Sequence, residues 1–227
     1  MKRLFGLTLA LTAGFSIASA QAAGPERIRG TVVGVSGSTL VVHTAAGGDV
    51  SIVLASDTAY LTEARSDLNH LPAGSYLGIA SKSVGDKLVA LDVLIFPPAM
   101  KGAAEGHFGW DKVVDTTTTG AAGTSSTMTN GSVAVAENAP ASAIATMTNG
   151  SVTAETALRG AKQLKLTYKG GEQTILVPPT AAIVTLQPGA VSDLKPGDVV
   201  FVNALADGGK STAKLVLVGA AGVAPPI

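Results

Sequence analysis

One module of this chain is written twice, and that repetition limits the fold more than any other feature. With a shift of 123 positions, Gly47-Gly48-Asp49 falls on Gly170-Gly171-Glu172, Ile52 on Ile175, Leu61-Thr62 on Val184-Thr185, and Leu71 with Gly74 on Leu194 with Gly197. Gly85 and Lys87 meet Gly208 and Lys210, and Val93-Leu94-Ile95 meets Val216-Leu217-Val218. The shift holds from Gly47 to Ile95 without an insertion, and the apolar alternation stays in register. An architecture proposed for the first copy must therefore serve the second as well.

Within the first copy the pattern is strand, turn, strand. Thr31 to Val35, Thr39 to Thr44 and Asp49 to Leu54 are rich in β-branched residues and are separated by Ser36-Gly37-Ser38 and by Gly47-Gly48. Successive residues of a strand point to opposite faces, so Leu40 with Val42, and Val50 with Ile52 and Leu54, each form one apolar face. Tyr60-Leu61-Thr62, Tyr76 to Ala80 and Leu88 to Phe96 continue the series. Arg65 to Leu71 is expected to make one or two helical turns capped by Ser66, before Pro72-Ala73-Gly74 returns the chain to strand. In the second copy Gln163 to Tyr168 and Gln173 to Val177 are the corresponding strands. About five short strands in roughly 70 residues suit a small closed barrel. The expectation is therefore an all-β protein of two tandem OB-like β-barrels, residues 28–97 and 146–220, with a tail at 221–227. A single larger sandwich sharing one core is the alternative.

Two different segments separate the copies, together spanning residues 98–145. Pro97 to Asp111 contains the only Trp of the chain. Thr116 to Ala145 is built of Thr, Ser, Gly and Ala, has little apolar area to offset the entropy of ordering, and reads as a flexible linker. Inside it Thr127-Met128-Thr129-Asn130-Gly131-Ser132-Val133 recurs verbatim as Thr146-Met147-Thr148-Asn149-Gly150-Ser151-Val152, 19 positions later. We expect the later copy to open the second barrel and the earlier one to be looped out or added at an edge.

The N-terminus has the layout of a secretory signal. Lys2 and Arg3 precede a mostly apolar run from Leu4 to Ile17, and Ala20-Gln21-Ala22 fits a cleavage site, which gives a signal peptide at residues 1–22. That run is shorter than the 18 to 20 strongly apolar residues, roughly, that span a bilayer, and no later segment reaches that length. A periplasmic protein without a membrane span after signal cleavage is expected. The chain has no Cys, so it carries neither a lipid-bearing cysteine nor a disulfide.

Charge and composition narrow the function. Charged residues make up 14% of the chain, against about 25% in an ordinary soluble protein, which excludes highly charged disorder and coiled coil. Sixteen basic residues balance 16 acidic ones, and loss of Lys2 and Arg3 leaves 14 against 16. No overall field draws the chain to nucleic acid. Nine aromatic residues, two of them Phe5 and Phe15 of the leader, supply few stacking platforms, which also disfavours nucleic acid. No cysteine nucleophile, G-x-S-x-G elbow or P-loop is present, and the three His are scattered, so no enzyme is expected and no cofactor is called for.

Glu105, His107 and Asp111 form one unusual polar group, with nitrogen and oxygen donors inside seven residues that an extended or turning chain can gather around zinc or another divalent transition metal. The simpler reading is a set of surface hydrogen-bonding groups. Phe108 and Trp110 are expected to pin the segment onto a barrel by packing. These features suggest a binding or interaction module with a protein partner in the cell envelope. The alternative is a metal-binding accessory protein linked to transport.

The runs Ile95-Phe96-Pro97, Glu105-Gly106-His107 to Trp110-Asp111, Thr127-Met128-Thr129-Asn130, Tyr168-Lys169-Gly170-Gly171-Glu172, Val177-Pro178-Pro179 and Pro225-Pro226-Ile227 resemble a group of exported Gram-negative bacterial proteins. That group is built from the β-rich repeat of a domain family of unknown function, and its motif matches Leu194-Lys195-Pro196-Gly197-Asp198 to Val202 here. Members are often labelled as related to metal ABC transport permeases. A permease needs several membrane-spanning helices, and the sequence offers none. The longer Thr/Ser/Gly/Ala segment and the second Thr-Met-Thr-Asn run depart from the group's pattern.

Overall fold

The computed structural model describes residues 24–44, 46–69, 71–72, 74–115, 117, 123–140 and 159–219. Residues 1–23, to which the signal-peptide expectation applies, the tail at 221–227, His70 and the later heptapeptide copy lie outside the described residues. Among the described residues the chain forms twelve strands and two short 3-10 turns, Pro98–Met100 and Val191–Asp193. No helix among them is long and apolar enough to cross a membrane.

The strands are β1 (Gly24–Ser36), β2 (Thr39–Thr44), β3 (Asp49–Arg65), β4 (Tyr76–Val84), β5 (Lys87–Ile95), β6 (Gly106–Val113), β7 (Thr124–Asn138), β8 (Lys162–Tyr168), β9 (Gly171–Val177), β10 (Ala182–Pro188), β11 (Val199–Asp207) and β12 (Lys210–Val218). The pairing order β12-β11-β1-β2-β3 is closed by a parallel pairing of β12 with β3, which makes a five-stranded barrel. Its interior holds Ile28, Leu40, Val42, Ile52, Val202 and Val216. The path β5-β4-β7-β8-β9 returns on itself through two parallel rungs, Leu88 to Ile175 and Val89 to Leu176. It encloses Leu77, Ile79, Val93, Leu164, Leu166 and Ile175. β10 joins the two rings, antiparallel to β3 and parallel to β5. A third apolar cluster, with Tyr76, Leu94, Phe96, Leu186, Phe201 and Leu217, fills the junction.

The all-β class and the barrel are as expected, but the strands do not fall into two consecutive barrels. The first ring takes β1 to β3 from the first copy and β11–β12 from the second, while β4–β5 of the first copy sit beside β7 to β9. Exchange is possible because the registers match. Leu215 faces Ala59, and 123 positions away Ala182 faces Asp92. Thr31 on β1 faces Val199, and Ser132 on β7 faces Tyr76, the counterpart of Val199 at that shift. On β3 and β10, Glu63 faces Leu186, its own counterpart at the same shift, so a pseudo-two-fold axis passes between them. Each hairpin thus meets equivalent surfaces in either ring, much as in an isologous dimer.

Four local expectations are corrected. The 98–145 stretch is not a bare linker, since it supplies both β6 and β7. The earlier heptapeptide copy is neither looped out nor added at an edge but lies in β7 between β4 and β8, and the later copy lies outside the described residues. Residues 66–69 bend rather than form a helix, with Asn69 N donating to Asp67 Oδ1 (2.6 Å) and Ser66 N drawn to Ile183 O (2.9 Å). Tyr60-Leu61-Thr62 continues β3, whereas Pro178-Pro179 at the matching place in the second copy splits β9 from β10, because proline has no N–H for a ladder.

A tight corner of the first ring depends on Gly30. A Cβ there would stand 2.1 Å from His43 O, so the two strands could not keep their spacing. Gly30→Ala is expected to destabilise the protein by about 2 kcal/mol, as overpacking against rigid backbone does. Urea unfolding followed by circular dichroism measures it. An unchanged midpoint would show that the corner relaxes freely.

Candidate functional site

β6 is the one described strand with a single strand neighbour, β7; every other has at least two. Its sequence, Gly106-His107-Phe108-Gly109-Trp110-Asp111-Lys112-Val113, alternates small or polar residues with aromatic ones. The register runs Gly106 to Asn130, His107 to Thr129, Phe108 to Met128, Gly109 to Thr127 and Trp110 to Ser126, then shifts by one at Asp111. Gly109 is exposed and a Cβ there would meet nothing within 4 Å. Among the described residues no strand pairs with the far edge of β6, and an edge of this kind can pair with an added strand.

The aromatic residues hold β6 in place from one side. Phe108 and Trp110 meet edge to face with ring centroids 5.8 Å apart. Both pack on Ala80, Leu91, Val113 and Met128. They sit on a strand rather than on a loop, and both remain partly exposed. The Arg27 guanidinium lies 4.2 Å from the Trp110 ring centre, a cation–π contact.

The three donors considered for a metal share no partner. His107 Nδ1 is 2.8 Å from Thr129 Oγ1. Glu105 Oε1 accepts from the Lys169 backbone N–H at 3.0 Å. Asp111 takes Arg27 Nη1 at 3.1 Å and Arg29 Nη2 at 3.2 Å. Among the described residues no three His, Asp or Glu side chains are grouped as a metal would require. Of the other histidines, His43 pairs with Asp49 at 2.8 Å on the exposed end of β2.

Beneath β6 lies a polar layer that the sequence reading did not single out. Arg27 and Arg29 alternate with Ile28, which points into the first barrel, so both arginines face outward toward β6. Arg29 lies 4.8 Å from the Phe201 ring centre. Burial lowers its guanidinium from the ordinary value, against the raising effect of Asp111. Asp92 on β5 is 7% exposed. Burial pushes its carboxyl up to about 7, with Arg29 opposing. The signals were present: Arg-Ile-Arg has strand alternation, and Asp92 interrupts an apolar run whose counterpart in the second copy carries Leu215.

A half-exposed strand edge, anchored by two aromatic rings and an arginine pair, can accept an extended segment by backbone hydrogen bonding. Comparison with known protein families, with curated proteins and with solved structures gave no match.

Proposed function

We propose that the chain is an exported, non-enzymatic binding module of the cell envelope that takes an extended segment of a protein partner along β6. The observation that carries this reading is the single-neighbour edge of β6. Added strands gain affinity from main-chain hydrogen bonds and selectivity from alternate side chains, and Phe108 and Trp110 stand ready to contact alternate positions. Export is supported by Lys2 and Arg3, the apolar run and Ala20-Gln21-Ala22. The absence of a Cys nucleophile or a G-x-S-x-G elbow from the sequence supports a role without catalysis.

The test places a photocrosslinking residue at Gly109 in the full chain expressed in cells, with a control at Val33, which is 49% exposed on β1. One adduct of defined mass is expected from position 109 and not from 33. Equal labelling at both sites, or none at 109, would remove the edge from consideration. N-terminal sequencing of the mature protein should begin at Ala23.

A further inference from the structure

Nearly every buried side chain of β7 lies within the heptapeptide that the chain carries twice. The buried residues of β7 are Ser126, Met128, Thr129, Asn130, Gly131 and Val133, and residues 134–138 are exposed. All the buried ones except Ser126 belong to Thr127-Met128-Thr129-Asn130-Gly131-Ser132-Val133. Each has a stated task. Met128 fills the cluster under Phe108 and Trp110, and Val133 joins the interior of the second ring. Thr129 meets His107, and Asn130 Nδ2 donates to Ala104 O at 3.0 Å. Gly131 has no substitute, because a Cβ would lie 2.6 Å from Thr167 O.

Residues 146–152, outside the described residues, repeat every one of these side chains in order. Over β7 the two copies diverge only outside the heptapeptide, at Thr124-Ser125-Ser126 against Ala143-Ile144-Ala145 and at Ala134-Val135-Ala136-Glu137-Asn138 against Thr153-Ala154-Glu155-Thr156-Ala157, where the strand is exposed. These changes lose the Ser126 hydroxyl bond to Asp111 O and the Gln163 amide bond to Glu137. At every buried position but Ser126, the slot bounded by β4, β6 and β8 therefore meets residues that are identical in both copies.

We propose that this slot is a strand-acceptor site whose ligand is a Thr-Met-Thr-Asn-Gly-Ser-Val segment, and that residues 146–152 of the same chain exchange with Thr127–Val133 for it. Connectivity permits the exchange. Asn138 now faces Lys162. A shift of 19 positions would bring Ala157 there and leave residues 158–161 as the turn, an ordinary hairpin length. The connection from β6 lengthens by the same 19 residues, and the closure entropy of a loop grows only slowly with its length.

Because the chain has no Cys, engineered disulfides can report the occupant. Ser81 and Thr127 are paired residues with hydroxyls 3.2 Å apart. Ser81→Cys with Thr127→Cys, and Ser81→Cys with Thr146→Cys, are both expected to form an intramolecular disulfide under mild oxidation without denaturant. Ser81→Cys with Ser142→Cys is expected to form none. The proposal is overturned if only the Thr127 pair closes, if the Ser142 pair closes as readily, or if the Thr146 bond forms only between molecules. Redundancy gives a second readout that does not depend on oxidation. Met128→Asp alone should keep a cooperative melt, whereas Met128→Asp with Met147→Asp should abolish it. A single Met128→Asp as damaging as the pair would also overturn exchange.

Discussion

Asp115→Ala is expected to lower the melting temperature by roughly 10 °C at neutral pH. The Lys82 ammonium on β4 lies 2.6 Å from Asp115 Oδ2, with the two side chains only 17% and 7% exposed. Asp115 Oδ1 also accepts the Thr117 backbone N–H at 2.9 Å and its hydroxyl at 2.7 Å. Removing the carboxylate leaves a half-buried ammonium and a backbone donor without their partner, and breaking one side of such a pair costs about 3–5 kcal/mol. In a chain of this size each kcal/mol is worth about 2–4 °C. Replacing both partners, Lys82→Met with Asp115→Leu, should recover most of the loss, since no uncompensated charge remains. Burial alone would raise the Asp115 carboxyl, but the hydrogen bonds from Lys82 and Thr117 and the Lys82 charge outweigh it and hold it below the ordinary value. A carboxyl depressed in the folded state adds stability above its unfolded value, about 3.9, and loses it as pH falls through the folded value. The gap between wild type and Asp115→Ala should therefore narrow below about pH 4. A variant melting within about 2 °C of wild type at pH 7 would mean that this clamp does not fix the segment after β6.

The hairpins were legible because alternation and turn glycines act locally. Leu40, Val42 and Ile52 face the interior as their spacing predicts. The exchange of β4–β5 with β11–β12 was not legible, for the same reason that the repeat was. When two copies keep one register, the sequence specifies which strands pair but not whether a hairpin closes its own ring or the other. β7 was read as linker because Thr, Ser, Gly and Ala offer little apolar area. In the fold that composition serves a strand flanked by β4, β6 and β8, where Gly131 must have no Cβ. At β6 the lone Trp and its neighbours drew attention correctly, but the Glu105, His107 and Asp111 spacing suggested convergence. As a strand, β6 sends these groups to Lys169, Thr129 and the arginines instead. Arg27 and Arg29 are far from Asp111 in sequence, and only the fold brings them together.

Asp92→Asn should stabilise the protein at pH 8 and leave it nearly unchanged at pH 4. Asp92 sits between Leu91 and Val93 on a strand buried on both faces, and by alternation it shares the junction face with Leu94. Its carboxyl, pushed up to about 7 by burial despite Arg29, is the reverse case of Asp115. A raised carboxyl binds its proton more tightly when folded, so its contribution is most favourable below the unfolded value, about 3.9. That contribution is lost as pH climbs from there to about 7 and is constant above. A displacement of about three units sets an upper limit of about 4 kcal/mol at 1.36 kcal/mol per unit. That displacement already includes the attraction to Arg29, and with relaxation around the charge the expected gain is about 2 kcal/mol, or roughly 5 °C. An uncharged residue is compatible with the backbone, since the counterpart strand carries Leu215 at this place. The substitution also bears on the β6 edge. Arg29 divides its attraction between Asp92 below and Asp111 above, so a neutral side chain at position 92 leaves the arginine to Asp111 and should slow amide hydrogen exchange in β6 at pH 8. Thermal melts at pH 4, 6 and 8, with exchange rates at the extremes, decide the matter. If the variant is less stable than wild type at pH 8, then Asp92 is held as a carboxylate by Arg29, and the junction is fastened by a buried ion pair rather than strained by a lone acid.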